Sequence, residues 1–193
     1  MSCLATDIDG RIGARVHALR AERGLTLDGL ARLANVSRAM LSRIERGESS
    51  PTAQLLARIC AGLGITPSVL FAQTETPPSP LSRRRDQPVW RDPATRYLRR
   101  NVSPPGSGSR VDIVEVEFPP GGSVTLDSAR LDGWDQHVWV LDGTLDLALG
   151  EEAFRLESGD CLVMGFDRPI RFSNPTERPV RYAVIISHGA ARP

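Results

Sequence analysis

Between Ile12 and Leu70, apolar residues recur in steps of three and four, the spacing that gathers them on one face of a helix. Ile12, Val16 and Leu19 form the first stripe, which Gly24 ends. Thr26 is placed to cap a second helix, with Asp28 in its first turn, where the helix dipole favours a negative charge. The buried face of that helix is expected to be Leu27, Leu30, Ala31 and Ala34. After the short break Asn35-Val36, Ser37 caps a third helix that turns Leu41 and Ile44 inward and stops at Gly47. Ser50-Pro51 reads as an N-cap followed by proline at the first helical position, opening a fourth helix with Leu55, Leu56, Ile59 and Leu63 inside. Thr66-Pro67 opens a short fifth helix ending near Phe71. The second and third helices, joined by a break of a few residues, have the helix-turn-helix arrangement.

From Val89 onward the period changes to two. Residues 111–118 alternate around Val114, Val116 and Phe118 and stop at Pro119-Pro120-Gly121-Gly122. Residues 138–141 reach Asp142-Gly143, and residues 144–149 follow; Asp-Gly between apolar runs is a hairpin signal. Further strands are expected at 152–156, 161–164, 170–173 and 182–187, a spacing that predicts an all-β sandwich or barrel. The stretch 73–88, with four prolines and the run Arg83-Arg84-Arg85, predicts an extended connector. Its arginines are equally compatible with touching a nucleic-acid backbone and with simple solvation. The expected organisation is therefore a helical domain at 10–72, a linker at 73–88 and a β domain at 89–193.

Composition narrows the partners. The 193 residues, 40% of them hydrophobic, suffice for two small cores, and no run approaches the roughly 18–20 apolar residues of a membrane span. The first residues lack a basic head before an apolar run, so no secretory signal is expected. Cysteines at 3, 60 and 161 are odd in number and far apart, which argues against a disulfide framework and for the reducing cytoplasm. His17, His137 and His188 are too scattered for a histidine-rich metal site. The net charge of +1 conceals an asymmetry. Residues 1–72 carry nine arginines against six acids, 73–110 eight against three, and 111–193 seven against fourteen. An anionic partner is thus expected for the front half alone.

The run from Leu25 to Gly47, closing in Ile44-Glu45-Arg46-Gly47 and followed by Ser50-Pro51-Thr52, resembles the phage-repressor, or XRE, class of helix-turn-helix regulators. With Leu41 and Ile44 inward, helical geometry puts Arg38, Ala39, Ser42 and Arg43 on the opposite face. Arginine offers a fork of donors that matches the guanine edge, and alanine allows close approach to a thymine methyl. The resemblance implies that these positions face base edges. Ser37 and Arg46 are placed for phosphate oxygens, and with Thr26 they complete the expected DNA-binding set. It also implies a structural ion pair between Arg20 and Glu45.

The back half resembles a cupin, a small jelly-roll barrel. The likeness rests on residues 138–143, on Leu156-Glu157-Ser158-Gly159-Asp160-Cys161, and on Asn174-Pro175 before residues 182–186. The resemblance implies metal-ligand positions at Gln136, Leu131, Ala129 and Ile170, none of which holds a usual ligand; His137 lies one step out of phase. The barrel is therefore expected to be metal-free, without cofactor, and the protein not an enzyme. On alternation Gln136, Val138, Ile170 and Phe172 line the mouth, with Leu131 and Trp134 at the rim, a tentative effector pocket. The alternatives are that these side chains fill the barrel and bind nothing, leaving a dimerisation module, or that the barrel is an enzyme with a helical targeting domain. The expected protein is two-domain, an all-α five-helix helix-turn-helix domain followed by an all-β jelly-roll barrel. It is expected to be a homodimeric regulator that binds an inverted-repeat operator in double-stranded DNA and responds to a small molecule.

Overall fold

The computed structural model describes residues 3–71, 79–104, 106–127, 131 and 133–188. Residues 73–78 of the expected linker, and Ala129, lie outside them.

Five helices come first: α1 (Cys3–Glu22), α2 (Leu27–Leu33), α3 (Arg38–Glu45), α4 (Ala53–Leu63) and α5 (Pro67–Phe71). The expected stripes are the buried ones: Ile12, Val16 and Leu19 of α1, Leu30 and Ala31 of α2, and Leu41 and Ile44 of α3. α1 starts at Cys3, well before its apolar stripe, because extending a nucleated helix is cheap and no proline interrupts residues 3–11. The side chain of Thr26 accepts from the Gly29 N–H at 3.0 Å, and that of Ser37 from the Met40 N–H at 3.1 Å. The cap of α4 is a correction. Thr52, not Ser50, occupies it, with its hydroxyl accepting from the Leu55 N–H, so Pro51 lies outside the helix. α1 crosses α3 closely: a Cβ on Gly13 would collide with the carbonyl oxygens of Ile44 and Glu45, so only glycine fits there.

A single 3-10 turn, Arg84–Asp86, precedes ten strands: β1 (Val89–Arg91), β2 (Leu98–Asn101), β3 (Val111–Phe118), β4 (Ser123–Leu126), β5 (Trp134–Asp142), β6 (Thr144–Leu149), β7 (Glu152–Glu157), β8 (Cys161–Met164), β9 (Ile170–Ser173) and β10 (Val180–His188). They form two antiparallel sheets, one in the order β1-β2-β3-β10-β5-β8 and one in the order β4-β9-β6-β7. Strands β1, β2 and β4 were not expected. Their segments mix arginine, threonine and serine with apolar residues and carry too short an alternation to be seen.

The two halves meet through side chains. Phe71 of α5 packs against Trp90 at 5.6 Å between ring centroids, Trp90 meets Tyr97 edge-on at 5.8 Å, and Tyr97 stacks on Phe118 at 5.4 Å. Asp92, buried in the β1–β2 turn, accepts from the Ala53 N–H at 2.9 Å. It thereby satisfies a free N–H at the start of α4, next to Thr52.

Candidate nucleic-acid interface and ligand cavity

On α3 the four residues assigned to base edges divide cleanly from the core. Leu41 and Ile44 are buried while Arg38, Ala39 and Arg43 are exposed; Ser42 is half-buried and accepts a hydrogen bond from Arg46. The Arg38 guanidinium lies 3.2 Å from Asp28, and both side chains are about two-thirds exposed. Exposed pairs of this kind contribute about 0–1 kcal/mol, so Arg38 can leave Asp28 for a better acceptor at little cost. Arg46 is held differently from the expectation: both its Nε and Nη2 donate to Glu48, at 2.7 and 2.6 Å. A phosphate at Arg46 must displace that carboxylate. The Ser37 hydroxyl oxygen is engaged as a cap, which leaves its O–H able to donate to a phosphate, and the same holds for Thr26.

Beneath this surface Arg20 grips Glu45 in a two-pronged pair, Nε to Oε1 at 2.6 Å and Nη2 to Oε2 at 2.9 Å, and a third N–H donates to the Leu25 carbonyl. His17 Nδ1 joins the same carboxylate at 2.9 Å. Burial alone would raise the Glu45 carboxyl, whose side chain is 8% exposed, but the hydrogen bonds from Arg20 and His17 outweigh it and hold it below the usual carboxylate range. The network fixes α1 to the end of the reading helix.

A cavity of about 110 Å³ lies in the mouth of the barrel, walled by the strands and by α4. Of the six residues expected to form a pocket, Leu131, Gln136, Ile170 and Phe172 line it. Val138 and Trp134 do not. Val138 shares the inward face but is wholly buried in the packed interior, and Trp134, the first residue of β5, lies away from the wall. His137 sits opposite Val163 and Ile185, on the outer face of the six-stranded sheet. Among the described residues, no three His, Cys, Asp or Glu side chains cluster as a metal would require. The walls also contain residues that alternation around the mouth did not reach: Ala53, Leu56, Ala57 and Cys60 from α4, Trp90 from β1, Arg99 from β2 and Tyr97 from the connection between those strands. The cue available in the sequence was short, Tyr97-Leu98-Arg99-Arg100, in which alternate residues turn inward. Burial pushes the Cys60 thiol up to about 12, so at neutral pH it is an inert wall group.

A family model for a helix-turn-helix domain matches residues 11–71, and one for a cupin domain matches residues 114–186. The HTH-type transcriptional regulator SutR of Escherichia coli is 29% identical over 178 residues, covering 92% of this chain and 94% of that one. The chain carries a helix-turn-helix domain followed by a cupin domain and is homologous to transcriptional regulators built in that order. The crystal structure of an HTH_3 family transcriptional regulator from Vibrio cholerae superposes with a TM-score of 0.78 at 26% identity, over 96% of this regulator and 99% of that chain. The immunity repressor of Bacillus phage phi105 is 39% identical over 62 residues, 32% of this regulator and 43% of the repressor. No helix among the regulator's described residues is long and apolar enough to cross a membrane.

Proposed function

We propose that this regulator is a cytoplasmic homodimer that reads an inverted-repeat operator with Arg38, Ala39, Ser42 and Arg43, and that its barrel is a metal-free, non-enzymatic sensor of a small molecule. The observation that carries the reading is α3 itself, a helix anchored by Leu41 and Ile44 whose opposite face presents two arginines flanking an alanine and a serine. Such a face in the major groove reads bases, while Thr26, Ser37 and Arg46 at its edges hold phosphates.

The second copy is assigned to the outer face of the six-stranded sheet. Strand register puts Ile113, Ile185, His137 and Val163 in one row across four strands, with Trp139 in the adjacent row. Trp139 is 46% and Val163 49% exposed, too much contiguous apolar surface for a face turned to water. A two-fold axis through this face would present two reading helices to two half-sites. Sensing then requires an effector with unequal affinity for the DNA-competent and incompetent arrangements, since equal affinity shifts nothing. The inward cavity, with leucine and isoleucine where metal ligands stand in cupin enzymes, supports a sensor over a catalyst.

Native mass spectrometry of the full chain tests the assembly. Two chains per duplex are expected, and a double variant Trp139→Arg/Val163→Glu should be monomeric and lose operator affinity. A wild-type monomer that binds operator tightly overturns the dimer. Metal analysis tests the sensor, because near-stoichiometric iron, zinc or manganese contradicts a metal-free barrel.

A further inference from the structure

The cavity is walled by both domains, and this has a chemical consequence. α4 contributes Ala53, Leu56, Ala57 and Cys60, one helical face at steps of three and four, and the barrel contributes the rest. Into the same wall β2 delivers Arg99, 8% exposed. Two of the five N–H donors of its guanidinium are used on neutral oxygens, those of Asn101 and of Ser68 in α5, the latter at 2.8 Å. Its Cζ lies 4.9 Å from the centre of the Phe71 ring, and Asp112 is the carboxylate whose charge reaches it. A guanidinium withdrawn from water and bonded to uncharged oxygens is a receptor for an anion. Phe71, Trp90, Tyr97, Phe166, Phe172 and Tyr182 share the remaining wall with a larger number of aliphatic side chains. At roughly 10–15 Å³ per atom, the volume holds on the order of ten non-hydrogen atoms. Asp127 and Arg168 also stand in the wall; Arg168 is half-exposed and already paired with Glu152 and Asp167, while Asp127 disfavours a second negative charge on the ligand.

We propose that the effector site is shared between the domains and takes a small monocarboxylate with an apolar body, its charge on Arg99 and its body against α4, and that α4 transmits occupancy to the DNA-reading unit. This deepens the sensing reading above and rests on it. The route runs across α4. Its N-terminus is tied to the barrel by Asp92, and the side turned from the cavity meets the helix-turn-helix. There the Arg58 guanidinium donates to the Asn35 carbonyl in the turn before α3, at 3.3 Å. A Cβ on Gly62 would sit 3.0 Å from the Ala34 nitrogen, so α4 and the end of α2 touch backbone to backbone. A ligand that displaces α4 therefore displaces the turn that orients the reading helix.

Two matched pairs of probes test this on the full-length dimer: phenylacetate with phenylacetamide, and hexanoate with hexanamide. The acids are expected to raise the melting temperature, the amides not, because a ligand selective for the native state stabilises it. Each acid that binds should change operator affinity by at least about fivefold. Arg99→Gln should abolish the response to the acids. Because a buried arginine can be needed for folding, Ala57→Leu, which fills the α4 side of the cavity without touching Arg99, should abolish it as well. Amides that stabilise as well as acids, or acids that still act on both variants, overturn the assignment of class and site. Acids that stabilise without changing operator affinity overturn the α4 route. If no probe binds while a broad metabolite screen finds a ligand, this inference fails and the sensing reading stands; a screen that finds none removes both.

Discussion

The two halves of this regulator hold their functional atoms in opposite ways. α3 turns its apolar residues in and its arginines out, so the groups proposed to meet base edges are local to one helix of eight residues, and its two arginines are already exposed. The barrel turns function inward, onto a cavity whose walls come from positions as distant as Ala53, Arg99 and Ile186. The difference follows from the partners. A duplex is too large to enclose and must be met by a projecting surface, whereas a small molecule gains most of its affinity from being surrounded. On the proposed reading the two surfaces are joined through α4, which walls the cavity on one side and on the other packs against the turn before α3.

The contrast is sharpest in stability. Glu45→Ala strands Arg20 in a largely buried site and should cost about 3–5 kcal/mol, seen as a large fall in the melting temperature of the helical half. An unchanged melting temperature would reject the pair as a brace between α1 and α3. Because the folded-state pKa of Glu45 is lowered, the contribution is complete above the ordinary carboxylate value of about 4.3 and is lost as pH falls through the lowered value. Acid unfolding of wild type and of Glu45→Gln should therefore converge at low pH and separate at neutral pH. A constant gap would contradict the linkage.

Next in size are the reading residues. Arg38→Ala and Arg43→Ala should each weaken operator binding by about 1–3 kcal/mol and relax preference at one base pair, with the melting temperature nearly unchanged because both side chains are exposed. Binding equal to wild type in both variants would put the reading face elsewhere. This is the counterpart of Glu45→Ala, function without stability against stability without function.

The local character of the helical half is also why it was legible. The caps Thr26 and Ser37, the stripes and the exposed side of α3 all follow from neighbours within one or two turns. Where two capping residues competed, Ser50 and Thr52, Thr52 is the cap, and the next N–H, that of Ala53, goes to the Asp92 carboxylate from the barrel, a contact no local pattern reports. Most of the strands, and a sandwich or barrel, were legible from alternation, whereas the jelly roll came from the resemblance to a cupin. The cavity was only half so: Gln136, Ile170 and Phe172 lie on recognisable strands, but Arg99 sits in Leu98-Arg99-Arg100-Asn101, a segment that reads as surface. Burial of that arginine depends on α5 folding over it, with Ser68 and Phe71 meeting it across the domain junction.

The smallest effect expected is at Arg46. Glu48→Gln removes the carboxylate that holds it, and since both side chains are about half exposed the melting temperature should barely change. Freed for a phosphate, Arg46 should tighten binding at low salt and steepen the dependence of affinity on salt by about one unit of slope. An unaltered slope would remove Arg46 from the phosphate contacts.

The central claim, that α3 reads an operator as one of a symmetric pair, is tested most directly by selecting bound duplexes from a random pool at fixed, near-physiological salt. The account predicts a two-fold-symmetric consensus that is lost when Arg38 and Arg43 are both replaced by alanine. An asymmetric consensus, or one that survives those replacements, would contradict it.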